Sequence, residues 1–258
     1  MTPYLIRIDI FPLKSLDGVS VDQATVLASG ALAGDRTYAL FDSQNRFING
    51  KRNAAIHRLR STFSQPGETI TLAIDGESST ATFHLQKQRQ GLETWLSDYF
   101  QQPVILQENR DLGFPDDTDA AGPTLISTAT LQAVATWYSL TLEETRRRFR
   151  TNLEIDGVPA FWEDQLFGPD PAPVRFAVGS VILDGINPCQ RCIVPTRNAF
   201  SGAATPNFQK TFIQQRNATL PAWAPRQRFN HFYRLAVNTK IAAQGGQVLK
   251  VGDSVSVI

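Results

Sequence analysis

The sequence is poor in the residues that build the most recognisable protein sites. Its 258 residues include two cysteines, three histidines and one methionine. Two cysteines exclude a framework of several disulfides, and by themselves they cannot complete a zinc site with four protein ligands. The histidines are His57, His84 and His231, which lie too far apart in the chain to show the spacing typical of zinc ligands.

Long apolar runs and a dominant charge are also missing. No run of about 18 apolar residues occurs, so the sequence predicts no membrane span. The first residues alternate apolar and charged side chains and lack the apolar block of a signal peptide. The 25 basic and 24 acidic residues leave a net charge of +1, which argues against a protein that coats nucleic acid. We therefore expect a cytoplasmic protein with reduced cysteines and no nucleic-acid partner.

Strand-like alternation dominates the sequence pattern. Apolar and polar residues alternate at residues 5–10 and again at residues 247–257, which predicts strands near both ends of the chain. Asp-Gly pairs at residues 75–76 and 184–185 each separate two strand-like runs and predict tight turns. Residues 187–195 are expected to form a further strand that includes both cysteines. The predicted fold class is therefore α+β and rich in β-structure.

Helical spacing of apolar residues is confined to short stretches. Residues 92–100 and 129–138 predict amphipathic helices, and Ser127 or Thr128 is a suitable N-cap for the second. Thr141 begins a capping-box pattern that predicts another short helix directly afterwards. The chain is thus expected to carry a few helices among many strands.

A polar stretch at residues 108–123 divides the chain. It is rich in acidic residues, glycine and proline, which predicts a linker or a long loop. We expect two domains, at residues 1–115 and 116–258. Residues 1–120 carry a net charge of −4 and residues 121–258 carry +5. This asymmetry favours an anion site in the second half, although scattered surface charge explains it equally well.

Of the motifs in the sequence, CQRC at residues 189–192 points most directly to a chemical function. A redox-active pair would lie at the N-terminus of a helix, but strand-like residues and Pro195 follow instead. A zinc site would need two further ligands, and two buried structural thiols are the plainest alternative. Arg191 and Arg197 favour the thiolate form, which is the form that binds a soft metal.

The four arginines of RRRFR, residues 146–150, admit two interpretations. At the C-terminus of a helix they would be stabilised by the helix dipole. As a clamp they would bind phosphate or carboxylate, because guanidinium groups pair with oxyanions in a bidentate manner. We single out Arg150 for anion binding, because it lies beside Asn152 where the chain becomes extended. No nucleotide-binding or hydrolase motif is present.

Several short segments, taken in order, resemble one family. This family is the MOSC proteins, named for the C-terminal domain of molybdenum cofactor sulfurase. The segments are FPLKS (11–15), GDRTYALFDSQNRFI (34–48), RRRFRTNLEIDG (146–157), AFWEDQLFG (160–168), NPCQRCIVPTRNAFSG (187–202) and LKVGDSVSV (249–257). The first two resemble the MOSC N-terminal β-barrel region and the others resemble the MOSC domain itself. The resemblance implies a MOSC-type β-barrel core with a few helices and an N-terminal region that is also barrel-like.

The resemblance extends to the mitochondrial amidoxime-reducing component and to bacterial reductases of N-hydroxylated compounds. It implies that the chain binds the molybdenum cofactor, with Cys192 as the thiolate ligand of the metal and as the catalytic residue. It assigns the other cofactor contacts to Lys14, Ser15, Arg36, Ser127, Thr128, Arg150, Asn152, Gln190 and Arg191.

The function implied by this resemblance is the reduction of small N-hydroxylated substrates by a molybdenum-cofactor-dependent oxidoreductase. The sequence holds no further cysteines for an iron–sulfur cluster, so a separate donor is expected to supply electrons. The expected donors are a ferredoxin, a flavodoxin or a cytochrome b5-type protein with its reductase. One alternative is a cofactor carrier or sulfur-transfer protein without turnover. Another is a small binding module with a structural thiol pair and no metal.

Overall fold

The computed structural model describes residues 2–64, 68–242 and 245–258, and it confirms the α+β, β-rich class. The strands of the described residues are β1 (Tyr4–Ile10), β2 (Val19–Val21), β3 (Gln23–Thr25), β4 (Tyr38–Phe41), β5 (Leu59–Phe63), β6 (Thr69–Ile74), β7 (Thr80–His84), β8 (Ile105–Glu108), β9 (Leu125–Ser127), β10 (Leu153–Asp156), β11 (Val174–Val178), β12 (Val181–Gln190), β13 (Arg234–Ile241), β14 (Val248–Lys250) and β15 (Val255–Val257). The α-helices are α1 (Arg89–Phe100), α2 (Thr128–Tyr138), α3 (Leu142–Phe149) and α4 (Phe208–Ala218).

The largest sheet combines strands from both ends of the chain. Its eight strands run in the order β15-β11-β12-β13-β9-β10-β1-β2. A β-bridge joins Tyr4 in β1 to Ser254, and the Leu5 amide donates to the Asp253 carbonyl at 2.8 Å. The two ends of the sheet therefore approach each other as they do in a barrel. Within the described residues, however, continuous strand pairing does not close the expected barrel.

The N-terminal half adds two smaller sheets and one helix. Strands β5, β6 and β7 form an antiparallel sheet, and β4 pairs with β8. Helix α1 buries Leu92, Leu96 and Phe100 in the core that these strands share. After the turn at residues 42–45 the chain returns beside β4 in a single bridge, between Phe41 and Phe47, while β8 pairs along the whole of β4. This region also shows no closed barrel in the part that the structure describes.

Two predicted N-caps are confirmed, and in each the side chain bonds to the first turn of its own helix. The Ser127 hydroxyl accepts a hydrogen bond from the Thr130 amide at 3.1 Å, and α2 begins there. The Thr141 hydroxyl accepts from the Glu144 amide at 3.0 Å at the start of α3. These bonds satisfy amides that have no partner within the helix, so the short polar side chain fixes the first turn.

The Asp-Gly pair at residues 184–185 is not a turn, and this prediction was wrong. Strand β12 continues through it and pairs with β11 on one side and β13 on the other. A Cβ atom at Gly185 would lie 1.8 Å from the Leu166 carbonyl oxygen. Glycine is needed for this close approach of two backbones rather than for a turn. The strand ends at Gln190, so the expected strand through residue 195 is also wrong.

The stretch at residues 108–123 is irregular, as expected, but it is packed against the rest of the molecule. Asp116 pairs with Lys14 at 2.9 Å, and Asp117 accepts from the Asn238 side chain at 3.2 Å. The Gly122 amide donates to the Thr239 carbonyl at 3.0 Å. These bonds hold the loop against the segment after β1 and against β13.

Helix α4 has no counterpart in the pattern of the sequence, which predicted only the first three. No helix among the described residues meets the length and hydropathy needed to cross a membrane.

Candidate functional site

One large cavity lies where the N-terminal region meets the eight-stranded sheet, and its volume is about 910 Å³. The loop after β1, the 108–123 loop, the end of α3 and the end of β12 all contribute to its walls. Seven predicted site residues line it, namely Lys14, Ser15, Arg36, Arg150, Gln190, Arg191 and Cys192. The fold therefore gathers residues that lie up to about 180 positions apart in the sequence.

The two cysteines occupy different positions at the end of β12. Cys189 lies in the strand, whereas Cys192 lies in the loop that leads to a short 3₁₀ turn at Val194–Thr196. Both thiols are free, partly exposed and on the cavity wall. Cys189 accepts a hydrogen bond from the Arg191 guanidinium at 3.2 Å. Cys192 has no hydrogen-bond partner among the described residues, so its sulfur is available to a ligand in the cavity.

Arg191 is held between the cysteine loop and the end of α3. Its guanidinium donates to the Phe149 carbonyl and lies 5.3 Å from the centre of the Phe149 ring. Its Nε is buried and has no partner among the described residues. Buried polar atoms in native proteins generally find a partner. The unpaired Nε is therefore one donor that a bound molecule could satisfy.

Two further arginines share one aromatic ring. Arg150 lies 4.2 Å from the centre of the Phe11 ring, and Arg36 lies 5.4 Å from it. Both residues have left-handed backbone conformations, with φ of 51° and 48°. Arg36 pairs with Asp35, but Arg150 has no carboxylate partner within the described residues. Burial and the charge of Arg36 lower the pKa of Arg150 from 12.5 to about 10. A bound oxyanion would offset this repulsion.

Lys14 lies on the same loop as Ser15. Its ammonium donates to the Phe114 carbonyl at 2.8 Å and to Asp116 at 2.9 Å. Burial lowers the pKa of Lys14, while Asp116 opposes that change. Burial acts to raise the pKa of Asp116, but Lys14, Lys51 and Arg36 together hold it well below its usual range. Ser15 adopts a φ of 76° and contributes to the cavity wall.

Three predicted contacts are not on the cavity wall. Ser127 is fully buried, and its hydroxyl bonds to Thr130. Thr128 donates to Glu154 at 2.8 Å beside a separate shallow depression. Asn152 is buried and donates to the Asp9 carbonyl at 3.1 Å. The structure therefore does not bring these three together with the cysteine loop, because local and structural hydrogen bonds use their polar atoms.

The charge of the cavity wall is strongly positive. It carries thirteen lysines and arginines against six aspartates and glutamates. Five of these arginines form no ion pair with a carboxylate in the part of the chain that the structure describes, and all five come from residues 121–258. They are Arg150, Arg191, Arg197, Arg228 and Arg234. Their unpaired charge makes the cavity suited to an anionic ligand.

The sequence interpretation missed several residues on this wall. His57 lies there with an unpartnered Nε2 among the described residues, and burial together with Arg197 lowers its pKa from 6.5 to about 4. It is therefore neutral at pH 7. Asp116, Arg228 and Arg234 were also missed. The segment RQRFNHFYR (226–234) contains three arginines, and this was the one sequence signal that pointed to Arg228 and Arg234.

Comparison with known families decides the identity of the fold. Residues 119–256 match the MOSC domain. The chain belongs to the MOSC family. Its residues 2–108 match the MOSC N-terminal beta barrel domain. The predicted family is thus confirmed over most of the chain.

Individual relatives of this MOSC protein are distant. A molybdenum cofactor sulfurase from Drosophila mojavensis is 22% identical and matches 100% of this chain and 35% of its own length. The corresponding protein from Drosophila grimshawi is 23% identical and matches 83% of this chain and 30% of its own length. The chain spans about a third of the length of these relatives.

Solved structures with a detectable likeness are more distant still. The YuaD protein from Bacillus subtilis is 12% identical with a TM-score of 0.39, and the alignment covers 99% of this chain and 94% of that chain. YiiM from Geobacillus stearothermophilus is 12% identical with a TM-score of 0.35, and the alignment covers 53% of this chain and 54% of that chain.

Proposed function

We propose that this MOSC protein binds the molybdenum cofactor in its cavity, with Cys192 as the protein ligand of the metal. We further propose that it is an oxidoreductase that reduces small N-hydroxylated substrates with electrons from a separate donor protein. One observation carries the proposal. The partly exposed Cys192 thiol faces a cavity whose wall holds five arginines without carboxylate partners among the described residues.

The available donor set fits this cofactor better than it fits a bare metal ion. No group of three or more histidine, cysteine or acidic side chains within the described residues could hold a metal. A single thiolate suffices when the cofactor brings its own sulfur ligands. The Arg191 Nε is buried without a partner in the described part of the chain, and Arg191 lies beside Cys192 on the cavity wall. It is a donor that a polar cofactor could satisfy.

Five of the predicted cofactor contacts on the cavity wall have a role in this proposal. Arg36 and Arg150 bind the phosphate of the cofactor, and Lys14 supplies a further cation on the loop after β1. Gln190 and Arg191 lie against the cofactor beside Cys192. When bound, the cofactor supplies two-electron redox chemistry, and the protein binds and orients the reactants. Cys192 then acts as a ligand and not as a nucleophile.

A reductive assay tests the enzymatic part of the proposal. Protein loaded with the cofactor is incubated anaerobically with benzamidoxime and a chemical reductant. Two electrons and two protons convert one benzamidoxime to one benzamidine and one water. We expect benzamidine to form with the wild type and with Cys189→Ser, but not with Cys192→Ser. Equal benzamidine formation by wild type and Cys192→Ser would contradict the proposal.

A second candidate function is sulfur transfer or cofactor delivery without turnover. It is favoured by the relatives, which are named molybdenum cofactor sulfurases. In this case Cys192 would carry a persulfide, or the protein would pass the cofactor to an apo-enzyme. Mass spectrometry of the purified protein for an addition of about 32 Da, one sulfur atom, on the Cys192 peptide identifies the persulfide. A cofactor-transfer assay to an apo-enzyme identifies the carrier.

A further inference from the structure

Arg228 and Arg234 form a second group of unpaired cations on the cavity wall. Arg228 donates to the carbonyls of Gly168 and Ile186, each at 2.9 Å, and to the Asp170 carbonyl at 2.5 Å. Backbone oxygens therefore fix its guanidinium without neutralising it. The positive charge remains available to a ligand in the cavity.

Arg234 is held in the same manner at the start of β13. It lies opposite Gln190 of β12 in the strand register. Its guanidinium donates through Nη1 to the Pro188 carbonyl at 2.8 Å, and through Nε and Nη2 to the Asn230 side-chain oxygen at 3.2 Å and 2.8 Å. One further N–H remains on Nη1 and one on Nη2. Burial lowers the pKa of Arg234, negative charge on Cys189 acts to raise it, and the charge of Arg228 lowers it further. Arg228 and Arg234 therefore lie close enough to repel each other.

These two arginines are separate from the pair that shares the Phe11 ring. They come from a 3₁₀ turn at Arg226–Arg228 and from β13, whereas Arg36 and Arg150 come from the N-terminal half and the end of α3. Asp117, an acidic residue of the same cavity wall, accepts from Asn238 rather than from either arginine. The wall thus presents two cationic groups, and one phosphate needs only one of them.

We infer that Arg228 and Arg234 bind an oxyanionic group of the substrate, so that the protein prefers N-hydroxylated substrates that carry a carboxylate or a phosphate. This inference rests on the proposed function. The N–H groups that remain on Nη1 and Nη2 of Arg234 and on Nε of Arg228 are donors for such an oxyanion, and hydrogen bonds between a charged donor and a charged acceptor are the strong ones.

Matched substrates test the inference by kinetics. Two substrates, benzamidoxime and its para-carboxylate derivative, are compared by their kcat/KM values in the cofactor-loaded protein. We expect the wild type to favour the carboxylate by about tenfold or more, as expected for hydrogen bonds to a charged group. Arg228→Gln and Arg234→Gln should each reduce that ratio to near one. Arg234→Lys, which keeps the charge but loses the fork of donors, should retain part of it.

Arg226 provides the control variant. It lies on the same 3₁₀ turn, is exposed, and donates to Asn217 at 3.0 Å outside the cavity wall. Arg226→Gln removes the same charge from the same segment, so it should leave the substrate ratio unchanged. An equal fall in the ratio for Arg226→Gln would mean that net charge alone sets the preference, and the inference would be overturned.

Binding without turnover separates this inference from the proposed function. Calorimetry measures the affinity of the loaded protein for terephthalamate, which carries a carboxylate, and for benzamide, which does not. Tighter binding of terephthalamate that is lost in Arg234→Gln supports the subsite, even if no N-hydroxylated compound is reduced. Equal affinities in the wild type overturn it. Loss of molybdenum from Arg228→Gln and Arg234→Gln would also overturn it, because the arginines would then belong to the cofactor site.

Discussion

The guanidinium carbon of Arg150 lies 4.2 Å from the centre of the Phe11 ring, within the range of a cation–π interaction. Arg36 lies over the same ring at 5.4 Å. Two cations near one aromatic ring repel each other, and only Arg36 has a carboxylate partner in the described part of the chain. This arrangement is unfavourable in the free protein and favourable once an oxyanion is bound.

Replacement of Arg150 should weaken binding of the cofactor but raise the stability of the cofactor-free protein. Arg150→Gln removes a cation whose pKa is lowered to about 10, first by burial and then by repulsion from Arg36, so it removes a charge that destabilises the folded state at pH 7. We expect the cofactor-free protein to become more stable by about 1 kcal/mol in chemical denaturation, a discounted value because the side chain is partly exposed. Molybdenum retention should fall about tenfold or more, since a charge-assisted contact is lost.

A paired arginine in the last turn of α3, just before Arg150, provides the control. Arg147 also lines the cavity, but it pairs with Asp17 at 3.1 Å and Glu143 at 3.2 Å. Arg147→Gln should therefore lower stability slightly and change molybdenum retention much less than Arg150→Gln. If both variants retain molybdenum equally, Arg150 has no special role in anion binding.

The buried Glu163 should make stability depend on pH. Burial, and then the charge of Asp164, raise the pKa of Glu163 from 4.5 to about 7. The folded state therefore holds a proton that the unfolded state releases, and stability falls as pH rises from 4.5 to 7. Glu163→Gln keeps an oxygen that can accept from the Thr130 hydroxyl at 3.0 Å but cannot ionise.

The Glu163→Gln variant should match the wild type near pH 4 and exceed it at pH 8 by about 1–3 kcal/mol. Denaturant unfolding at both pH values measures the difference. If the variant is only as stable as the wild type at pH 8, Glu163 ionises freely in the folded protein.

Gly185 should tolerate no side chain. Its Cβ would lie 1.8 Å from the Leu166 carbonyl, so Gly185→Ala must displace one backbone from the other. We expect a loss of about 3 kcal/mol or more in the free energy of unfolding. Gly91→Ala is the control, because its Cβ would contact Phe83 at an ordinary 3.6 Å within α1. That substitution should stabilise the protein by about 0.5–1 kcal/mol.

The sequence predicted those parts of the fold that depend on local chemistry. The caps at Ser127 and Thr141 are where the pattern placed them, because each side chain bonds to its own helix. The Asp-Gly pair at residues 184–185 was wrongly predicted to be a turn. Its glycine serves the close approach of Leu166, which is a tertiary contact with no local signal in the sequence. The family resemblance was confirmed because it rested on several motifs in order.

The candidate site was only partly predictable for the same reason. Gln190 and Arg191, which the family resemblance assigns as cofactor contacts, do line the cavity. Asp116 was hidden in a stretch that looked like a linker, and its role depends on Lys14, which is about 100 positions away. Whether an arginine is paired or unpaired, as for Arg228, is decided by packing and not by neighbours in the sequence.

The most direct test of the account is the molybdenum content of the purified protein. Wild type, Cys192→Ser and Cys189→Ser are expressed in a host that makes the cofactor, and molybdenum per chain is measured by elemental analysis. We predict that wild type and Cys189→Ser retain molybdenum, and that Cys192→Ser, folded as shown by its thermal unfolding, does not. Equal molybdenum in wild type and Cys192→Ser, or none in the wild type, would contradict the account.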